Sequence, residues 1–183
     1  MKSLMLSAIL VFTIQISFGQ GDGPKEITPQ LLQKLTADID KQIPAFKQKL
    51  LKQDLTASQI EFSIDTFRIE QLVSKRIDID YSTSGMNITV SEMTASYDKL
   101  MNKYYSKLLK ILEPEDQKVL INAQKAWLAY RDAEAKLIRT MTKDVYSGGG
   151  TMQSNIAVGS YADLVVKRTI EIFNYYGDAV KEK

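Results

Sequence analysis

The sequence predicts an all-α protein, an antiparallel helical bundle of four to five helices. Three observations predict it. Apolar residues recur at three- and four-residue spacing along several long segments. Those segments open on helix-start signals, Thr28-Pro29, Thr56-Ala-Ser-Gln59 and Glu113-Pro114. No two alternating segments offer strands that could pair.

The first helix should start at Thr28 as cap, with Pro29 in the first turn, where its missing N–H costs nothing. Leu31, Leu32, Leu35, Ile39 and Ile43 give it an apolar stripe, and Pro44 should end or kink it. A second segment over 46–51 turns Lys47, Lys49 and Lys52 outward. The third helix is capped by a box in which Thr56 and Gln59 satisfy each other's backbone donors, and it continues through Ile60, Ile64, Phe67, Leu72 and Val73. Around RIDIDYSTSGMNITV, residues 76–90, β-branched residues and turn formers predict a helix end and a loop. The fourth helix should then be capped by Ser91, with Met93, Tyr97, Leu100, Met101, Tyr104, Leu108 and Ile111 on its apolar face. Its lysines, Lys99, Lys103, Lys107 and Lys110, read as a solvated face. Glu113 caps and Pro114 opens a fifth helix over 115–143, folded back on the fourth. Gly148-Gly149-Gly150 interrupts the chain before a last helix over 154–176 carrying Tyr161, Leu164, Val165, Ile172 and Phe173.

Residues 1–19 are expected to be an export signal, with Lys2 as the positive start, an apolar stretch over 4–16, and Ser17 and Gly19 as the small residues a signal peptidase reads. Residues 20–27 read as a flexible lead, 28–90 as an additional N-terminal helical region, and 91–176 as the second part of one globular unit. Without Lys2, 23 basic residues face 22 acidic ones, which gives no support to nucleic-acid binding. There is no cysteine and no histidine, so an exported chain must rely on packing rather than disulfides. The same absence removes the commonest nucleophile, general base and zinc ligands. No cofactor and no metal are expected. SGGGT over 147–151 lacks the end of a phosphate loop, and Asp78-Ile-Asp80 lacks the spacing of a calcium loop. The chain is expected to insert in no membrane once the signal is cleaved.

The fifth helix raises the question of a site. At about 100° per residue, with Trp127 at zero, Val119, Ala123, Leu120, Ile138 and Tyr130 surround it. Arg131 then falls at about 40° and Glu134 at about 340°, inside the apolar face, while Asp132 at about 140° meets solvent. On the last helix Arg168 also lies inside the apolar stripe. If buried, such charges must be paired, because an isolated one costs several kcal/mol. Two readings stand. Arg131, Glu134 and Arg168 form an internal ion pair helped by hydroxyls of Tyr97, Tyr104 or Tyr105, or they line a cleft with Trp127, Tyr130 and Asp132 that receives a partner's carboxylate or a sugar. Asp132 and Glu134, two apart, diverge by about 200° and cannot flank one glycosidic bond, so no enzyme is expected.

The stretch Trp127-Leu-Ala-Tyr130-Arg131-Asp132-Ala-Glu134 resembles the W-x-x-[YF]-R-D-x-E signature of the lysozyme-inhibitor LprI-like domain family. The resemblance extends to Asp98-Lys-Leu-Met-Asn102-Lys-Tyr-Tyr105-Ser-Lys-Leu-Leu109 upstream and to Leu164-Val-Val-Lys-Arg168 downstream, covering residues 91–173. It implies an exported, small helical domain and, for some members, binding and inhibition of lysozyme. The family usually carries cysteines where this chain has Ala135 and Ser160, so a disulfide between the tryptophan helix and the last helix is missing. The resemblance makes lysozyme or another envelope protein the expected partner, with a scaffolding or small-ligand-binding envelope domain as the alternative.

Overall fold

The computed structural model describes residues 23–181. The expected export signal and the first three residues of the lead lie outside the described residues. The described residues are helical and contain no strand. They form α1 (Pro29–Asp40), α2 (Ile43–Leu50), α3 (Ala57–Ile79), α4 (Thr83–Ile111), α5 (Pro114–Met141), α6 (Asp144–Ser147) and α7 (Met152–Lys181). Four long helices, α3, α4, α5 and α7, build the bundle; α1 lies against α3, and α2 and α6 are short.

The start signals operate as their chemistry requires. Thr28 Oγ1 accepts from the Leu31 N–H at 3.2 Å. The Thr56 N–H donates to Gln59 Oε1 at 2.8 Å while the Gln59 N–H donates to Thr56 Oγ1 at 3.2 Å, which closes the capping box. Two readings need correction here. α1 ends at Asp40, four residues before Pro44, whose ring excludes the Asp40 carbonyl from a continued helix; Ile43, read as part of the first helix, opens α2 instead, with Pro44 in its first turn. Glu113 occupies the cap position of α5, but its side chain makes no capping bond. At the same junction the Gln117 side-chain amide donates to the Leu112 carbonyl at 3.0 Å.

The larger correction lies in residues 76–90. The stretch is helix on both sides of a break only three residues wide, Asp80 to Ser82. Asp80 Oδ1 accepts from both the Ser82 N–H, at 3.2 Å, and the Ser82 hydroxyl, at 2.6 Å, and Ser82 Oγ accepts from the Gly85 N–H at 3.0 Å. Ser82, not Ser91, is therefore the cap of α4, and Ser91 lies inside the helix. The β-branched residues were misleading because tertiary contacts outweigh their small helix penalty. Arg76 is buried and paired with Glu92 across the α3–α4 interface, and Thr89 is buried one turn earlier. The Asp80 carboxylate is also committed to the turn. Among the described residues no group of three or more acidic side chains is placed to hold a metal ion.

The closest pairing in the fold is α4 with α7. They run parallel: Asn87 bonds Ser154 near one end, the Thr169 hydroxyl lies 3.1 Å from the Tyr97 carbonyl in the middle, and Tyr104 packs on Phe173 and Tyr176 near the other. The core is built on the expected face of α4, with Tyr97, Leu100, Met101, Tyr104 and Leu108 against Val165, Ile172 and Phe173 of α7 and Leu120 of α5. α3 closes one side of the pair, running antiparallel to both, with Phe62 stacked on Phe173 at 3.9 Å. α5 runs back along the other side.

The lysine face of α4 is only partly solvated. Lys103 bridges Glu61 and Asp65 of α3, and Lys107 reaches Glu61 at 2.6 Å. Both ammonium groups also lie over the Tyr104 ring, at 5.4 and 5.1 Å. Burial alone would raise the pKa of Glu61, but its bonds to Lys103 and Lys107 outweigh burial and hold it below its ordinary value. Burial would lower that of Lys103, but Asp65 and Glu61 outweigh it and push it up.

Two outcomes follow for stability. A Cβ at position 85 would overlap the Asp80 carboxylate. Gly85→Ala should therefore destabilise by about 1–3 kcal/mol in denaturant melts, although alanine is the better helix former. Glu61, with its depressed pKa, contributes stability that is complete above the ordinary glutamate value and is lost as pH falls below it and through the depressed one. Glu61→Gln should cost about 0.5–1 kcal/mol at neutral pH, a figure already discounted for solvent screening. The gap in melting temperature between the two proteins should close as pH is lowered through the carboxylate range, and a gap that persists at low pH would contradict the ladder.

Candidate functional site

α5 is amphipathic, but its buried arc is rotated from the expected one. Val119 is 66% exposed and Tyr130 53%, while the buried positions are Leu120 and Gln124. Gln124 was missed by sequence reasoning. It is four residues after Leu120 and three before Trp127, on the same inward arc, and a glutamine there carried no apolar signal.

Trp127 is half-buried at the centre of the contact between α5 and α7. The guanidinium carbons of Arg131 and Arg168 lie 5.5 and 5.9 Å from its ring, one supplied by each helix. A cation on an indole face is worth about 0.5–2 kcal/mol, more as water is excluded. Arg168 is buried to 9% exposure and anchored twice: Nε donates to Gln124 Oε1 at 3.1 Å across the interface, and Nη1 to Glu171 on its own helix at 3.1 Å. Gln124 completes its bonding through Nε2, 3.7 Å from the Met101 sulfur on α4. One buried amide thus joins α4, α5 and α7.

The expected internal ion pair of Arg131, Glu134 and Arg168 does not form. Arg131 donates from Nε and Nη2 to Asp132 Oδ1, at 3.0 and 2.8 Å, and Arg168 to Glu171. Both arginines find an acid on their own helix, and both stack on Trp127 instead of sharing Glu134. Glu134 is half-buried and makes no hydrogen bond or ion pair among the described residues. Burial would lower the pKa of Arg131, but the Asp132 carboxylate outweighs it, so the shift is upward. The tyrosine hydroxyls are not part of the cluster either. The Tyr97 hydroxyl donates to Glu70 of α3 at 3.0 Å, and burial, reinforced by that carboxylate, raises its pKa. The Tyr104 hydroxyl is buried and bonded to no protein group.

Two clefts flank α5. The larger, about 730 Å³, lies between α4, α5 and α7, with Ser91, Thr94, Ala135, Ala157 and Tyr161 among its lining and Asp132, Lys136 and Arg139 at its charged edge. The smaller, about 390 Å³, lies between α4 and α5 and is lined by Asp98, Met101, Tyr105, Gln124 and Arg131, among others. Of the six candidate residues, the structure brings Trp127, Arg131, Asp132 and Arg168 together. Tyr130 stands outside on the exposed side of α5, and Glu134 is half-buried beside the cluster. Asp132, 63% exposed at its side chain, meets solvent as expected, at the rim of the larger cleft.

The two arginines should separate in thermal melts. Arg168→Ala leaves the buried Gln124 oxygen unpaired and removes a cation from the Trp127 ring, so it should cost about 1–3 kcal/mol. Arg131→Ala loses a pair whose acid is largely exposed and should cost no more than about 1 kcal/mol. Equal losses would argue against this division of labour.

The family model described as lysozyme inhibitor LprI matches residues 78–172, from the end of α3 through α4, α5 and α6 and most of α7. No curated protein and no solved structure matches the chain. The matched stretch covers more than half of the chain and contains the parallel α4–α7 pair, both clefts and the whole tryptophan–arginine cluster, and the chain belongs to the lysozyme inhibitor LprI family.

Proposed function

We propose that this protein is an exported binding protein that inhibits a lysozyme-type muramidase by occupying it, without catalysing a reaction of its own. The observation that carries the reading is the family match over the whole of α4 and α5 and most of α7. The geometry agrees with binding rather than catalysis. The acids of the signature, Asp132 and Glu134, are not arranged as an acid–base pair: one is tied to Arg131 and the other is half-buried on a different side of α5. No helix among the described residues is long and apolar enough to cross a membrane. The apolar start of the sequence supports export.

The test is direct. The protein spanning residues 20–183 is titrated against c-type and g-type lysozymes, following heat of binding and, separately, lysis of cell-wall suspensions. Saturable binding with a matching loss of lysis is the expected result. No binding at concentrations on the order of tens of micromolar would overturn the inhibitor reading.

A further inference from the structure

One end of the bundle is unlike the rest of the surface. Five large apolar residues, Leu137, Met141, Val145, Tyr146 and Met152, stand at least half exposed within one short stretch that closes α5, forms α6 and opens α7. Val145, at 78%, and Met152, at 70%, have the highest exposures of any large apolar residue described. A single exposed apolar side chain is ordinary, but a cluster of them marks a contact surface. The chain between α6 and α7 turns on Gly148, Gly149 and Gly150, all at positive φ (78°, 81° and 99°), a conformation that favours glycine. Side chains added at Gly148 or Gly150 would meet no other atom within 4 Å, so both positions of the turn face open space.

The charges of this end are unbalanced. Elsewhere in the bundle some cations are answered inside the fold, Lys103 and Lys107 by α3, Arg76 by Glu92, Arg131 by Asp132 and Arg168 by Glu171, while single lysines such as Lys99, Lys110, Lys125 and Lys167 form no ion pair among the described residues. Lys136, Arg139 and Lys143 form no ion pair among the described residues, and Asp144 is the sole acid between positions 136 and 156. Another group of cations without ion pairs, Lys47, Lys49 and Lys52 at α2, lies outside the stretch that matches the family.

We infer that this tip, the end of α5 with α6 and the start of α7, is the surface that enters the acidic substrate cleft of a muramidase. The inference rests on the inhibitor reading above and names its contact surface. A glycosidase that cleaves between sugars carries a pair of carboxylates facing the scissile bond, so its cleft is concave and negative. Cations without internal partners complement that charge. Tyr146, with an apolar body and a hydroxyl, is the kind of anchor that carries interface energy. Lys136 and Arg139 also edge the larger cleft beside α5, which places the tip and the signature helix on one continuous element.

The experiment uses the protein spanning residues 20–183 and a c-type lysozyme, titrated with and without tri-N-acetylchitotriose, which fills the substrate cleft. The expected result is binding that the trisaccharide competes away and that weakens about tenfold or more in Tyr146→Ala and in the double variant Arg139→Glu, Lys143→Glu. Both variants should keep the parent melting temperature, because all three side chains are exposed and Arg139 bonds only the Ala135 carbonyl of its own helix. Lys47→Glu with Lys49→Glu serves as the control and should change affinity by less than about twofold. If the parent binds and the tip variants bind equally well, the tip is not the contact and the inhibitor reading survives. If the parent binds but the trisaccharide does not compete, the cleft is not the destination. If the parent does not bind, the inhibitor reading and the tip fall together.

Discussion

The parallel packing of α4 on α7 is the constraint from which the remaining architecture follows. Tyr97, Leu100, Met101, Tyr104 and Leu108 present one continuous apolar ridge, and Val165, Ile172 and Phe173 fill it with scarcely any surface left to water. Two helices can be parallel only if the chain between them travels back the length of the pair, and α5 is that return. With α7 taken as the tight partner of α4, α5 is left a secondary seat. It buries only Leu120 and Gln124 and stands between two open clefts. The other flank is sealed more completely, because α3 brings both the Phe62–Phe173 stack and the Glu61–Lys103–Asp65 ladder to it.

A loosely seated α5 explains why the signature residues are what they are. A helix that buries little apolar surface needs directional contacts to set its rotation, and the two guanidiniums over the Trp127 ring with the Gln124–Arg168 bond supply them. The family usually adds a disulfide between this helix and the last one, and here Ala135 occupies the α5 position and lines the larger cleft. The contact is then held by stacking and one buried amide, which are weaker than a covalent tie and leave the cleft open.

How far the sequence could be read depended on whether a feature was local. The caps at Thr28 and Thr56 and the apolar face of α4 were legible, because each is set by residues within one or two turns. The helicity of residues 83–90 was hidden, since Ile88, Thr89 and Val90 disfavour helix on their own, while the contacts that favour it, the buried Thr89, the Asn87–Ser154 bond to α7 and the Arg76–Glu92 pair to α3, come from distant parts of the chain. The site was half legible. Helical angles put Arg131 and Arg168 on the inward arc, and both are indeed drawn to Trp127. They could not say that each arginine would find an acid on its own helix, nor that Gln124 would be buried, because those outcomes depend on the distance between α5 and α7. Val119 and Tyr130 were placed inside by the same angles and are exposed, because a helix with two clefts beside it buries a narrower stripe than one packed on both sides.

Part of the charge is bound up in the packing of the helices. A net charge near zero gives no sign of a directed field, yet the cations divide into those consumed by the fold and those left over. Lys103 and Lys107 hold α3 to α4, and Arg168 fixes α5 to α7. A cation whose partner lies inside the protein offers little to a second molecule, since the new bond would have to replace the old one. Lys136, Arg139 and Lys143 carry no such obligation, and they stand where the chain leaves the loosely held helix for its tightly held neighbour.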